Sequence, residues 1–310
     1  MGSAMAIYAA ALVAHAGEIA FARIRAGDAE EARELASVGA RTGADAVPLV
    51  APAPQRPAPS ESKADAWGRS GVALTVLAFA LHLGGVVLRG VSAERVPWGN
   101  MYEFSITSAL AVAGVYLLLL RRHSVRYLAI IVVPAVLVTL GLAQVKLYTE
   151  SAELVPALDS YWLVIHVVAA IISSGLFTVG AVLTVLYLVR ARAEKRDRLG
   201  GWTGRLPSST RLDALAYRLN AFAFPLWTFT VVAGAIWAEN AWGRSWNWDP
   251  KEVWAFITWV VYAGYLHARA TAGWRRSSAA WIGLAGYSTF LFNYLIVNIF
   301  FPGLHSYAGL

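Results

Sequence analysis

Eight apolar stretches, each near the length a helix needs to cross a bilayer, set the limits on what this chain can fold into. They cover 5–22, 71–90, 102–120, 127–145, 161–189, 220–238, 251–268 and 277–300, and the hydrocarbon core of a membrane requires about 20 apolar residues per helical crossing. Backbone polar groups in lipid must be bonded within their own segment, so stretches of this kind read as helices. The expected fold is an all-α polytopic integral membrane protein with about eight transmembrane helices. Composition agrees, since 58% of the 310 residues are hydrophobic and only 15% are charged, far from the balance of a soluble domain. The first stretch contains His15 and Glu18 and resembles a signal peptide in length. No basic region precedes it and no small-residue cleavage site is followed by an exported domain, so it is read as a span.

Eight spans put both termini on one side and divide the connections into two sets. Residues 23–70, 121–126, 190–218 and 269–276 hold 21 of the 26 Lys and Arg, and the other set holds Arg89, Arg95, Lys146, Arg244 and Lys251. Positive residues stay on the cytoplasmic side. Both termini, residues 146–160 and the 239–252 connection are therefore expected outside a plasma membrane. The net charge of +7 is explained by these clusters at helix ends, and no nucleic-acid partner is expected; the lipid bilayer is the partner the basic residues suit. Three segments follow: a first transmembrane helix at 1–24, a cytoplasmic Ala/Pro-rich connector at 25–70, and a seven-helix core at 71–310. Within the connector, 28–35 reads as a short helix and 47–60, with five prolines, as a polyproline-like linker.

The connection that stands out runs Trp242-Gly243-Arg244-Ser245-Trp246-Asn247-Trp248-Asp249-Pro250-Lys251-Glu252, three tryptophans in seven positions. Flat aromatic side chains at a membrane boundary suit a flat ligand, and a porphyrin is the leading candidate. Ionisable side chains in spans are costly and are functional candidates, and histidines supply most of them here. His166, at the outer end of the fifth span, and His305, just past the eighth, fall on the same side as the tryptophans. Two imidazoles can ligate haem iron from opposite faces, with Trp242, Trp246 and Trp248 covering the macrocycle and Arg244 and Lys251 placed to pair with propionates. An interfacial aromatic belt explains the same tryptophans without a ligand. His82 and His267 form a second candidate pair for a transmembrane haem b if their helices are neighbours, and a hydrogen bond to an adjacent helix explains each equally simply. His15 and His123 read as structural.

Asp249-Pro250-Lys251-Glu252 also reads as a capping box with proline at the first helical position, which accounts for Asp249 and Glu252 without chemistry. The chain has no cysteine. It can supply neither an acceptor thiol nor a reductant, so any thiol chemistry must come from partners.

With these residues in view the chain resembles the CcsA/ResC family of haem-handling membrane proteins, subunits of the System II cytochrome c synthase. The resemblance is carried by the W-G-x-x-W-x-W-D loop at Trp242–Asp249, His82 with Arg89, Pro97-Trp98-Gly99-Asn100-Met101-Tyr102-Glu103, Tyr161 to His166, and Gly303-Leu304-His305-Ser306-Tyr307. It covers about 70–310. It implies that haem b, as substrate, is held under the loop by His166 and His305, with Asp249 and Arg244 in the same site, and that His82 and His267 bind haem on its way across the membrane. The haem is then presented outside for thioether attachment to the C-x-x-C-H segment of an apocytochrome c. The implied partners are a ResB-like membrane protein and a thioredoxin-like thiol reductant, and the implied activity of the complex is that of a holocytochrome c synthase. A haem exporter or chaperone without synthase activity shares the same ligand set. A haem b electron-transfer subunit would use the transmembrane pair, and a haem-free transporter or scaffold would use the tryptophans only as a belt.

Overall fold

The structure, a computed structural model, describes residues 1–41, 59–151 and 158–305, and the side chains of 1–22 and 63–305 among these. Every described regular element is helical. The helices are α1 (Gly2–Arg41), α2 (Pro59–Ser92), α3 (Met101–Arg122), α4 (Ala129–Lys146), α5 (Tyr161–Lys195), α6 (Ser209–Trp242), α7 (Pro250–Ala270) and α8 (Arg276–Leu291), the last continued by a π turn at Phe292–Val297 and a final helical turn at Asn298–Phe300. Seven of them are long and apolar enough to cross a membrane, against the eight expected. The exception is α7. Its 21 residues would reach about 31 Å at 1.5 Å per residue, but Lys251 and Glu252 at one end and His267 and Arg269 at the other dilute its apolar stretch.

The helices overrun the apolar stretches wherever charged residues are good helix formers. Backbone helix continues from α1 through 28–35 to Arg41, where a separate short helix is expected from the sequence; this segment is rich in Ala, Glu and Arg, whose intrinsic preference is helical. Pro59 opens α2 in the position where a missing N–H costs nothing. The linker expected at 47–60 otherwise lies outside the described residues.

Helices α1 to α4 form one group, with α1 against α2 and α4 and α3 against α4 and α2. Helix α5 joins it to the rest by packing on α3, α6 and α8, and α7 packs on α6 and α8. At the centre, Phe177 of α5 stacks on Tyr262 of α7 with ring centroids 3.9 Å apart, and Trp227 of α6 and Phe290 of α8 meet edge to face at 5.7 Å. The Trp227 indole donates to the Ala255 carbonyl across 3.2 Å, which ties α6 to α7.

One end of the bundle gathers the 93–100 loop, the start of α5, the tryptophan connection and residues 301–305. The 93–100 loop is fixed by the carboxylate of Glu103, which is fully buried. It accepts hydrogen bonds from Arg89 Nε at 2.9 Å, Arg95 Nη1 at 2.8 Å and the Gly99 amide at 2.8 Å. Asn100 caps α3 by accepting from the Glu103 amide. Two guanidiniums on one carboxylate offset the cost of burying it, and the result is a rigid seat for Trp98.

Candidate functional site

Beneath the tryptophan connection lies a cavity of about 190 Å³ whose walls come from distant parts of the chain. Trp98 and Met101 approach from the α3 side, His166 from α5, Trp227 to Trp242 from α6, Lys251 and Ala255 from α7, Asn293 and Tyr294 from the π turn, and His305 from the tail.

His166 sits in the second turn of α5, and its Nδ1 lies 2.9 Å from the carbonyl oxygen of Thr230 on α6. A carbonyl can only accept, so Nδ1 carries the proton and the lone pair is on Nε2. The close approach depends on Gly234, where an added Cβ would come within 2.8 Å of the imidazole Cε1 and Nδ1. Trp237, almost wholly buried, stacks on His166 at 6.0 Å and meets His305 at 5.9 Å and Trp242 at 4.8 Å.

His305 is held by Asp249, with Nδ1 at 2.9 Å from Oδ1. The other carboxylate oxygen accepts from the Leu304 amide at 2.6 Å. Asp249 also caps α7, accepting from the Lys251 amide at 3.0 Å, while Glu252 closes the capping box by accepting from the Asp249 amide at 3.1 Å and from Asn247. Burial alone would raise the Asp249 carboxyl, but the hydrogen bond and charge of His305, helped by the Leu304 and Lys251 amides, hold it below the ordinary carboxylate range. The sequence explains Asp249 as a cap; the structure gives it a second contact, to a candidate ligand 56 residues away.

Of the three loop tryptophans, Trp242 and Trp246 line the cavity. Trp248 adopts a left-handed backbone, φ 57°, is 70% exposed and stands outside the wall, as does exposed Arg244. Gly243, at φ 70°, ends α6 and turns the chain into the loop.

The second histidine pair is not brought together. His82 is fully buried in α2, with Nε2 2.9 Å from the Ile106 carbonyl and its ring edge-on to Tyr8 of α1 at 6.0 Å. His267 is exposed on α7 near the opposite end of the bundle, where its carbonyl accepts from Thr271. The two lie in different helix groups. His15 bonds Thr75 at 3.2 Å and the His123 backbone N–H closes the last turn of α3, both structural contacts.

Sequence reading missed Trp237, the π turn and Asn293 as parts of the cavity. The motif Pro97 to Glu103 did signal Trp98, although only the Glu103 network shows why that loop is held there.

A family model described as cytochrome C assembly protein matches residues 98–305. The chain belongs to the cytochrome c assembly protein family. The matched segment runs from the first cavity residue, Trp98, to the last, His305. Among curated relatives, a cytochrome c biogenesis protein CcsA of Guillardia theta is 36% identical over 242 residues, covering 72% of this chain and 80% of that protein. CcsA proteins of Picosynechococcus sp. and Microcystis aeruginosa are 33% and 32% identical, each covering 78% of this chain and 87% of its own length. Membership of the cytochrome c assembly family and the apolar helices together make this a multi-pass membrane protein of cytochrome c biogenesis.

Proposed function

We propose that the chain binds haem b as a substrate in this cavity, with His166 and His305 as axial ligands, and presents it for covalent attachment to apocytochrome c. One observation carries the reading. Both imidazoles enter the same tryptophan-walled cavity, and each has Nδ1 engaged by an oxygen acceptor, Thr230 O or Asp249 Oδ1. This is the arrangement that orients a histidine to ligate through Nε2. Among the described residues no group of three or more His, Cys, Asp or Glu could hold a bare metal ion. Two imidazoles suit an iron whose other four positions come from a macrocycle.

Within this reading Trp242 and Trp246 pack against the porphyrin, Trp237 braces both imidazoles, and Lys251 in the wall pairs with a propionate. Arg244 and Trp248 lie on the outer face of the loop, where a partner would approach. A ResB-like membrane protein and a thiol reductant complete the complex, and the site faces the extracytoplasmic side, opposite the basic connections. Thioether formation adds each acceptor S–H across a haem vinyl, sulfur to the α-carbon and hydrogen to the β-carbon, with no net change in oxidation state once the thiols are reduced. The chain's contribution is orientation, which turns an encounter into a nearly unimolecular step.

Replacing His166 or His305 with Gly should cost the purified membrane protein most of its bound haem, and added imidazole should restore the bis-imidazole spectrum. Co-expression of the full chain with a ResB-like partner and a C-x-x-C-H acceptor, in a host without other maturation systems, should yield covalent cytochrome c. Unchanged haem and full cytochrome yield in both Gly variants would refute the assignment.

A further inference from the structure

A second and larger hollow lies on the outside of the bundle. It is a groove of about 840 Å³ between α2, α3 and α5, walled by Val87 and Val91, by Gly114 and Leu118, and by Val168 and Ile172. Val87, Val91, Leu118 and Ile172 are exposed, so in a membrane the groove opens sideways to lipid. Its charged side chains, Glu94 and Arg95, stand at one end, in the 93–100 loop. Thr107 also lines it, but its hydroxyl donates to the Glu103 carbonyl at 2.8 Å, and the remaining wall is apolar.

One residue lines both this groove and the cavity of His166 and His305, and it is Trp98. Deeper in the bundle α3 and α5 close the two spaces off from each other, since a Cβ on Gly175 would come within 3.0 Å of the Ala111 backbone. The way from one to the other is past Trp98. The Glu103 network fixes the backbone beside it through the Gly99 amide, whereas its ring is held by packing on the cluster of Leu158, Leu163 and Trp237. The indole has no hydrogen-bond or stacking partner among the described residues. The cavity also needs a wall that gives. Its 190 Å³ is below the roughly 300 Å³ at which sites for drug-sized ligands begin, and a porphyrin is a large ligand.

Resting on the haem reading above, we propose that the groove is a lateral entry site, through which haem passes from the bilayer into the cavity when the Trp98 ring swings aside. Haem in a membrane keeps its propionates near the polar edge and its ring in hydrocarbon, because charge is costly at depth. The groove matches that division. Its loop end, at the level of Arg95, takes the carboxylates, and its aliphatic length takes the vinyl edge. A lipid tail or a partner's helix would also fill an apolar groove, but neither accounts for a groove that ends on a wall of the ligand cavity.

The test places the purified full chain in lipid nanodiscs, adds vesicles preloaded with haem, and follows the rise of the bis-imidazole spectrum. Gly114→Trp puts an indole into the groove, where a Cβ meets nothing nearer than Phe79 at 3.5 Å, and Leu118→Trp does the same from the next turn. Val138→Trp, on the exposed face of α4 outside the groove, is the control. Both groove variants should load about tenfold more slowly than wild type, the effect of about 1.4 kcal/mol on a barrier, and reach the wild-type spectrum, while Val138→Trp loads normally. Trp98→Ala should gain and lose haem faster. Faster loss with unchanged loading makes Trp98 ordinary cover and overturns the gate. Wild-type loading in both groove variants, or equal slowing in Val138→Trp, overturns the entry site; loss of a co-purified phospholipid or of covalent cytochrome c yield at wild-type loading then assigns the groove to lipid or to a partner's helix. Should one groove variant fail to fold, the other decides together with Trp98→Ala. Absence of a bis-imidazole spectrum in wild type overturns the haem reading, and the entry site with it.

Discussion

His305 Nδ1 lies 2.9 Å from Oδ1 of Asp249, the residue that also caps α7 with its side chain. The start of a helix and the orientation of a candidate iron ligand therefore share one carboxylate. Asn is as good a cap as Asp but brings no charge to the imidazole. Asp249→Asn should keep the helix cap and lower the thermal melt of the purified chain only by the part that the carboxylate's charge contributes, while lowering haem affinity about 10- to 100-fold, the usual effect of removing such a supporting carboxylate. A large drop in melting temperature with normal haem affinity would reverse the roles.

The same pair predicts a pH dependence. Asp249 is held below the ordinary carboxylate range in the folded chain, so the stability it contributes is fully present above its unfolded value, about 3.9, and is lost as pH falls through the depressed native value. Melting temperatures of the purified chain measured across an acid titration should fall in this range for wild type, and the fall should be smaller in Asp249→Asn.

Gly234 and His166 make a second coupled pair. Alanine would ordinarily favour a helix over glycine by about 1 kcal/mol, yet here the added methyl would sit 2.8 Å from the imidazole. Gly234→Ala should express and insert normally but tilt His166 off the Thr230 carbonyl, with haem retention falling toward that of His166→Gly. Wild-type retention would show that the ring has room to move.

How much of this was legible in the chain depends on whether a feature is local. The helical segments follow from apolar length, and the capping box at Asp249 to Glu252 from four adjacent residues. His166 and His305 fall at one end of the bundle by counting spans. Neighbourhood across the bundle is a packing result with no local signal, which is why His82 and His267 read as a plausible pair yet lie in different helix groups. Trp248 shares a motif with Trp246 but is turned out by a positive φ that depends on how the loop closes onto α7. Asn293 reads as one polar residue in an apolar run, and only the packed helices show it in the cavity wall.

The Glu103 network predicts a stability effect separate from ligand contacts. Glu103→Ala leaves Arg89 and Arg95 beside a buried site with no carboxylate, and breaking a buried pair from one side typically costs about 3–5 kcal/mol. A clear fall in melting temperature is expected. Restoring a neutral acceptor with Glu103→Gln should recover only part of it, because the amide can accept from one guanidinium but not neutralise two.

The tryptophans of the loop should separate by position. Trp246 lines the cavity and meets Phe256 at 6.3 Å, whereas Trp248 is 70% exposed. Trp246→Ala removes apolar cover from a bound macrocycle and should weaken haem retention about tenfold or more, at roughly 25 cal/mol per Å² of lost apolar contact. Trp248→Ala should leave retention by the purified chain within about twofold and, if its exposed face meets a partner, lower the yield of covalent cytochrome c in the co-expression assay. Equal haem loss in both variants would mean that the loop closes over the ligand as a unit and that Trp248 turns inward when haem is present.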